Sequence, residues 1–407
     1  MNSPSPSPAF TKTFPQASTE SPPSIFLPWT IEAFLQKLPS KIGFAPHYAN
    51  YYLIKRCATS LALPLSIIFI DSLSSSTVPS SWKHAYVVPV FKKGNPALPK
   101  NYRPISLTDP FARIFEKILC TLIRNDLSHK FNSHQHGFLS KRSCPTSLLE
   151  TVSTYKSALS EHGYIDVVFF DFEKAFDRVP HPLLLSKLES FGVTPLVVSW
   201  FKDFLLNRTF SVKINNTIDV VRHHIPSGVP QGSVSGPLLF LIFINDLLNS
   251  IPTSLHFSAF ADDIKLYSSD PTLLQSGIDL VCTWASNNSM CLAQHKTSLL
   301  HIGSKNPNYS YNINSIPIIP VQNARDLGLL TDSTLKFALH ITRISASAVL
   351  KCKQLLKCFK SSSPEFYMSL FKCYVLPILE YSSVLFSPIL LLGYLNVLKN
   401  HSASTQS

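Results

Sequence analysis

Charge is scarce in this sequence, and acidic charge is scarcest. Of 407 residues, 15% are Asp, Glu, Lys or Arg, while 45% are hydrophobic. That balance describes a globular protein with a sparsely charged surface and length enough for two or three subdomains around a substantial core. The 24 acidic residues face 36 Lys and Arg, giving a formal charge of +12 and a pI near 9.2. Such an excess favours a polyanionic partner, although many basic proteins bind no nucleic acid. Paired cysteines are also missing. Cys57, Cys120, Cys144, Cys282, Cys291, Cys352, Cys358 and Cys373 form no C-x-x-C pair and no zinc spacing, so free intracellular thiols are expected instead of a disulfide framework. No basic-then-apolar leader, targeting signal or internal repeat is visible, so the expected location is intracellular, nuclear or cytoplasmic. The apolar stretch from Cys373 to Leu398 is interrupted by Pro377, Glu380 and Pro388; it reads as buried helices, with no membrane contact.

What is present is a pair of acidic signals far apart in the chain: VVFFDFEKAFDRV at 167–179 and FADDIKLY at 260–267. Asp171 follows the apolar run Val167–Phe170, which reads as a strand buried on both faces. Asp262 and Asp263 lie between two short apolar runs, which read as strand, tight turn, strand. Taken alone, an Asp-Asp pair after a strand is an ordinary turn. Several carboxylates brought together, however, repel one another unless a cation compensates them. Hard oxygen ligands of this kind suit Mg²⁺, with water and substrate phosphates filling the remaining positions, and point to two-metal phosphoryl transfer.

Around these signals the pattern divides the chain. Residues 1–24 are Ser/Pro-rich and are expected to be disordered. Helical spacing from Ile31 to Leu73 (Leu61, Leu65, Ile68, Phe69) predicts one or two helices, and 82–107 predicts a β-hairpin. Phe111 to Leu127 is an amphipathic helix with Ile114, Ile118 and Leu122 on one face and Arg113, Glu116 and Lys117 opposite. Further helices are predicted over 145–160, Pro182–Leu206, Pro237–Leu248 and Leu273–Asn287, and a short strand pair near Phe210–Val221. Strands follow near Ser298–Ile302 and Leu327–Leu330, then helices over 339–360 and 364–383. This order fits an α+β domain whose antiparallel sheet is covered by helices on one side, with the Asp171 strand beside the FADD hairpin and all three carboxylates at one end.

In these residues the chain resembles the reverse transcriptase of a non-LTR (LINE-type, jockey-like) retrotransposon, from about Ile31 to Pro388. The pieces arrive in the family's order: VPSSWKHAYVVPVFKKG, NYRPISL, QHGF with RSC, VVFFDFEKAFDRVPH, SGVPQGS with GPLLF, FADD, TWASNNSMCLAQHKT, DLGLLTDSTLKF and CYVLPILEYSSVLFSP. The resemblance implies a right-hand polymerase with fingers, palm and thumb. Its implied divisions are a helical extension over 25–81, fingers and palm over 82–335, a truncated thumb-like helical region over 336–395 and a disordered tail over 396–407. It implies two Mg²⁺ ions, with Mn²⁺ as a substitute, held by Asp171, Asp262, Asp263 and the backbone carbonyl of Phe172. The partners it implies are an RNA template, a DNA primer and dNTPs; no protein partner is inferable.

The same resemblance gives roles to other residues. Phe176 matches a steric gate beneath the sugar, against the alternative of a core aromatic. Gln231, in the loop GVPQGS, matches a contact to the incoming sugar. Lys92 and Arg103 match triphosphate contacts, with Lys93 an alternative to Lys92. Lys296 matches a residue that protonates or steadies pyrophosphate, against the alternative of a plain exposed lysine. Gln135, Gly137 and Phe138 are expected to shape the template path and the base of the palm, and Asp177 to cap the following turn and helix. Three positions depart from the family: SKIGFAP at 40–46 lacks an Asp, Ala293 replaces an Asn, and Ser235 replaces an apolar residue. No endonuclease, Cys/His knuckle or ribonuclease H-like set is recognisable. The expectation is therefore an RNA-directed DNA polymerase, with a catalytically silent, truncated retrotransposon remnant that at most binds RNA or DNA as the alternative.

Overall fold

The computed structural model describes residues 24–40, 50–215 and 217–386. The expectations for 1–23, for SKIGFAP beyond Ser40 and for 387–407 lie outside the described residues. The described chain opens with three helices, α1 (Pro28–Gln36), α2 (Tyr51–Arg56) and α3 (Ala58–Ser74), where spacing predicts one or two. Leu65 and Phe69 of the predicted stripe are buried, while Ile68 stays exposed. The predicted hairpin is β1 (His84–Phe91) with β2 (Tyr102–Leu107), Val90 opposite Arg103. β1 also runs parallel to β4 (Thr209–Ile214), which pairs with β5 (Thr217–Ile218) and β6 (His223–His224). That parallel pairing joins segments with no local sequence link, so periodicity alone does not reveal it.

Helix α4 (Pro110–Leu127) begins where the Asp109 carboxylate accepts hydrogen bonds from the amides of Phe111 (2.8 Å) and Ala112 (3.1 Å), with Pro110 in the first position. Ile114 and Ile118 face inward as predicted, but Glu116, read as solvent-facing, is fully buried. It accepts from the amide (2.8 Å) and hydroxyl (2.6 Å) of Ser235, the residue before α9 (Gly236–Ser250). The residue that departs from the family's apolar pattern thus supplies this carboxylate's partners. Helix α5 (Cys144–Glu161) opens with a capping box of Ser143 and Thr146. Downstream, one predicted helix is two, α7 (His181–Phe191) and α8 (Pro195–Leu205): Gly192 ends the first at φ 97° and Pro195 starts the second.

The strands β7 (His256–Phe260), β8 (Asp263–Ser268), β3 (Ile165–Phe170) and β9 (Ser298–Ile302) form a four-stranded sheet in that spatial order, antiparallel throughout. Val168, Phe170, Ile264 and Leu266 join the main core, which includes α9 and α10 (Pro271–Asn287). Val167, Tyr267, Leu300 and Ile302 pack on the other face against Leu148, Val152 and Tyr155 of α5. Helices therefore cover both faces, not one, because alternate residues of β3 are apolar on each side.

Two hairpins follow, β10 (Asn312–Ile313) with β11 (Ile316–Pro317), and β12 (Asn323–Asp326) with β13 (Leu329–Asp332). Leu327 and Gly328, predicted to start a strand, form the left-handed turn of the second hairpin. The chain continues through α11 (Ala338–Cys358), α12 (Pro364–Tyr374) and α13 (Leu376–Glu380). The helix predicted over 364–383 breaks at Val375 because Pro377 has no N–H to offer the carbonyl of Cys373. α12 buries none of its residues, but in the described part of the apolar stretch that begins at Cys373, Val375, Leu379, Leu385 and Phe386 are buried. Among the described residues no helix is long and apolar enough to cross a membrane.

Candidate active site

β3 ends at Phe170, so Asp171 leaves the sheet where Phe170 lies opposite Ile264 of β8. The β7–β8 connection is as tight as the sequence predicts: Phe260 pairs with Asp263, leaving Ala261 and Asp262 in the turn. Ala261 takes a left-handed conformation at φ 57°. Strand register alone therefore brings Asp171, Asp262 and Asp263 to one end of the sheet.

Their electrostatics show mutual strain. Burial raises the Asp262 carboxyl above the usual carboxylate range and Asp171 raises it further, while Arg103 and Lys92 pull it down. Asp263 reaches solvent at one edge, yet its recessed position and the charges of Asp262, Asp326 and Asp171 push it up to about 7. Lys265 partly offsets this, although it is itself buried and paired with Asp326. Lys92 and Arg103 come from the β1–β2 hairpin, where both are exposed. Arg103 stands opposite Val90, and strand alternation places Lys92 on the same side as Val90 and Lys93 on the other. The Lys92 charge is among those that lower the Asp262 carboxyl.

The remaining predicted residues surround this centre. Lys296 Nζ lies 3.0 Å from Asp171 Oδ1, so it is not a free surface lysine. Ala293, where the family carries Asn, is buried and donates its amide to the Asp171 carbonyl at 2.7 Å. Phe172 forms a bridge with Leu292 whose bonds run through its neighbours, Ala293 N to Asp171 O and Glu173 N to Cys291 O. In an antiparallel pair of this kind the carbonyl of Phe172 itself points to the opposite edge, the β8 side. Phe176 lies in the short helix α6 (Ala175–Arg178), partly buried and stacked on Phe240 of α9 at 4.5 Å.

Asp177 caps nothing. Its carboxylate accepts from Gln231 Nε2 at 2.8 Å, and burial, partly offset by that bond, raises its pKa. The loop holding Gln231 is fixed by Ser106 N donating to Gln231 O (2.7 Å), Gly228 N to Val179 O (2.9 Å) and Val229 N to Phe176 O (2.8 Å). At Gly232, φ 106°, a Cβ would lie 2.5 Å from the Ser106 carbonyl, so glycine is required for the loop to meet β2.

Gln135 and Gly137 lie closer to the centre than the sequence suggests, since both touch the turn that carries Asp262. The partner that anchors their segment, Glu150, could not be read from the pattern, because it sits on α5 without helical or strand spacing to either residue. Among the described residues, no group of three His, Cys, Asp or Glu side chains forms a ready-made metal cage. The donors nonetheless suit a hard dication. They are carboxylate oxygens under mutual repulsion, and Mg²⁺ characteristically takes one or two protein carboxylates beside water and phosphate oxygens.

Residues 90–337 match the reverse transcriptase (RNA-dependent DNA polymerase) family. The chain is 28% identical over 331 residues to a probable RNA-directed DNA polymerase from transposon BS of Drosophila melanogaster, a match covering 73% of this chain and 35% of that protein. It is 27% identical over 347 residues to the RNA-directed DNA polymerase from mobile element jockey of the same species, covering 80% and 38%. The chain thus spans little more than a third of the length of these curated relatives. Among solved structures, apo telomerase from Candida tropicalis, truncated from its C-terminal domain, aligns with 68% of this chain and 59% of that one at 12% identity and a TM-score of 0.45.

Proposed function

The chain belongs to the reverse transcriptase (RNA-dependent DNA polymerase) family, and from that premise we propose that it is an RNA-directed DNA polymerase of the non-LTR retrotransposon type. It adds deoxynucleotides to a primer 3′ end on an RNA template. The observation that carries this reading is the convergence of Asp171, Asp262 and Asp263 at one end of the antiparallel sheet, with Lys92 and Arg103 opposing their charge. In this reading the four-stranded sheet is the palm, the β1–β2 hairpin and its neighbours are the fingers, and α11 to α13 begin the thumb.

Asp171, Asp262, Asp263 and the Phe172 carbonyl would hold two Mg²⁺ ions, or Mn²⁺, which lower the cost of deprotonating the primer 3′-hydroxyl and stabilise charge on the pyrophosphate leaving group. The chain's own residues bind and orient. Lys92 and Arg103 receive the triphosphate, Arg103 with a fork of donors and Lys92 as a mobile point charge. Phe176, held flat against Phe240, lies beneath the sugar and excludes a ribose 2′-hydroxyl. Gln231, restrained by Asp177, contacts the sugar of the incoming nucleotide. Lys296, paired with Asp171, protonates or steadies the departing pyrophosphate.

Primer extension on poly(rA)/oligo(dT) with Mg²⁺, run beside Asp262→Asn, tests the proposal. Extension by the wild type and a loss on the order of 10³-fold or more in the variant, with primer–template binding retained, is the expected result. Normal extension by the variant would refute the carboxylate assignment. No extension by either, with salt-sensitive binding preserved, would identify a catalytically silent remnant.

A further inference from the structure

We infer that Gln135 is the positioning residue of the carboxylate turn: its side-chain oxygen fixes the backbone at Ala261 and so sets the directions in which Asp262 and Asp263 project. The inference rests on the proposal that these aspartates hold the metal. Gln135 Oε1 accepts from two backbone amides, Ala261 and Gly137, each at 2.8 Å. Two amide donors can converge only on the oxygen, so the orientation of the side-chain amide is settled by its partners. The Nε2 end is buried without a partner, in a residue that is 1% exposed. A buried donor left unpaired is costly, so the side chain keeps this orientation on the strength of the two bonds its oxygen receives.

The turn needs such a restraint. Ala261 sits in the left-handed region, which is unfavourable for a residue with a Cβ. The approach is also close: a Cβ on Gly137 would fall 2.5 Å from the Ala261 amide nitrogen, so glycine alone lets the clamp seat. The clamp is anchored from outside the sheet. His136 N donates to Ala259 O (2.8 Å) and Ala259 N to His134 O (2.9 Å), which lays residues 134–136 along β7. Glu150 on α5 receives both imidazoles, His136 Nε2 at 2.8 Å and His134 Nδ1 at 2.5 Å. Ser147 of α5 also meets Ser258 of β7 at 2.8 Å. The position of the turn is therefore set by α5 through Gln135 as well as by the β7–β8 ladder.

The test is Mn²⁺ binding to the full chain, followed by electron paramagnetic resonance, for wild type, Gln135→Met, Glu150→Gln and Asp262→Asn. Gln135→Met keeps the side chain's length and removes the acceptor. Its Mn²⁺ Kd is expected to rise about tenfold, with unchanged stoichiometry and a cooperative thermal transition. Glu150→Gln, on a partly exposed residue away from the carboxylates, is expected to shift Kd in the same direction by a smaller factor. A merely structural role would lower the fraction of protein that binds and leave Kd where it was; that result in both variants overturns the inference while the polymerase proposal stands. Wild-type binding that is absent, or insensitive to Asp262→Asn, removes the metal assignment and the inference with it.

Discussion

The gate role proposed for Phe176 falls on a ring that is also packed. Phe176 stacks on Phe240 at 4.5 Å with 18° between the planes, an arrangement worth about 1 kcal/mol beyond burial. The stacked ring is only partly buried, which leaves part of it open to a ligand. Phe176→Ala is expected to raise ribonucleotide incorporation relative to deoxynucleotide roughly tenfold or more, measured as the ratio of kcat/KM for the two substrates. An unchanged ratio would return Phe176 to the core. At this scale much of the candidate site was legible, because Asp171, Asp262 and Asp263 are fixed by strand-and-turn patterns that sequence carries locally. The misreadings concern long-range partners. Glu116 looked solvent-facing because its partner Ser235 is remote in sequence, and Asp177 looked like a cap because Gln231 is.

At the level of elements, the breaks were harder to read than the elements themselves. α4, α5 and α9 fall close to where the sequence places them. The predicted helix over Pro182–Leu206 divides at Gly192, and the one over 364–383 divides ahead of Pro377. In both cases apolar spacing runs on past a residue suited to ending a helix, Gly192 in the left-handed region and Pro377 without an N–H. α5 also brings a prediction of its own. Burial alone would raise the Glu150 carboxyl, but the hydrogen bonds from His134 and His136 outweigh it and hold the pKa down at about 2. A depressed carboxylate stabilises the fold above its unfolded value near 4.5, and that contribution is lost as pH falls toward 2. Because the side chain is 30% exposed, the contribution is on the order of 1 kcal/mol. Urea titrations between about pH 5 and 2.5 are expected to show a flatter acid limb for Glu150→Gln than for the wild type. Parallel limbs would show that the two histidines do not stabilise the ionised form.

Over the whole molecule, the +12 charge and the two larger sheets belong to one argument. If the basic excess meets a primer–template, affinity is expected to fall on the order of 10²–10³-fold between about 50 and 200 mM salt, read by fluorescence anisotropy. An affinity indifferent to salt would mean that the charge serves something else. The α+β class and the antiparallel sheet were legible in the order of the segments, whereas the parallel β1–β4 pairing was not, since it joins distant stretches without a periodic signal. The two sheets also differ in how they end. Residues 134–136 lie along the outer edge of β7, and Val321 N donates to Leu299 O at 2.8 Å on the outer edge of β9. Both margins of the carboxylate-bearing sheet are thereby closed to foreign strands. The other sheet runs out into β5 and β6, with Val220 and Val221 exposed between them. Edge strands of two residues, with the Val221 amide and carbonyl taken by Asp219 and Ser211, give another chain little to pair with. Val221 therefore offers another chain its side chain and not a free backbone edge.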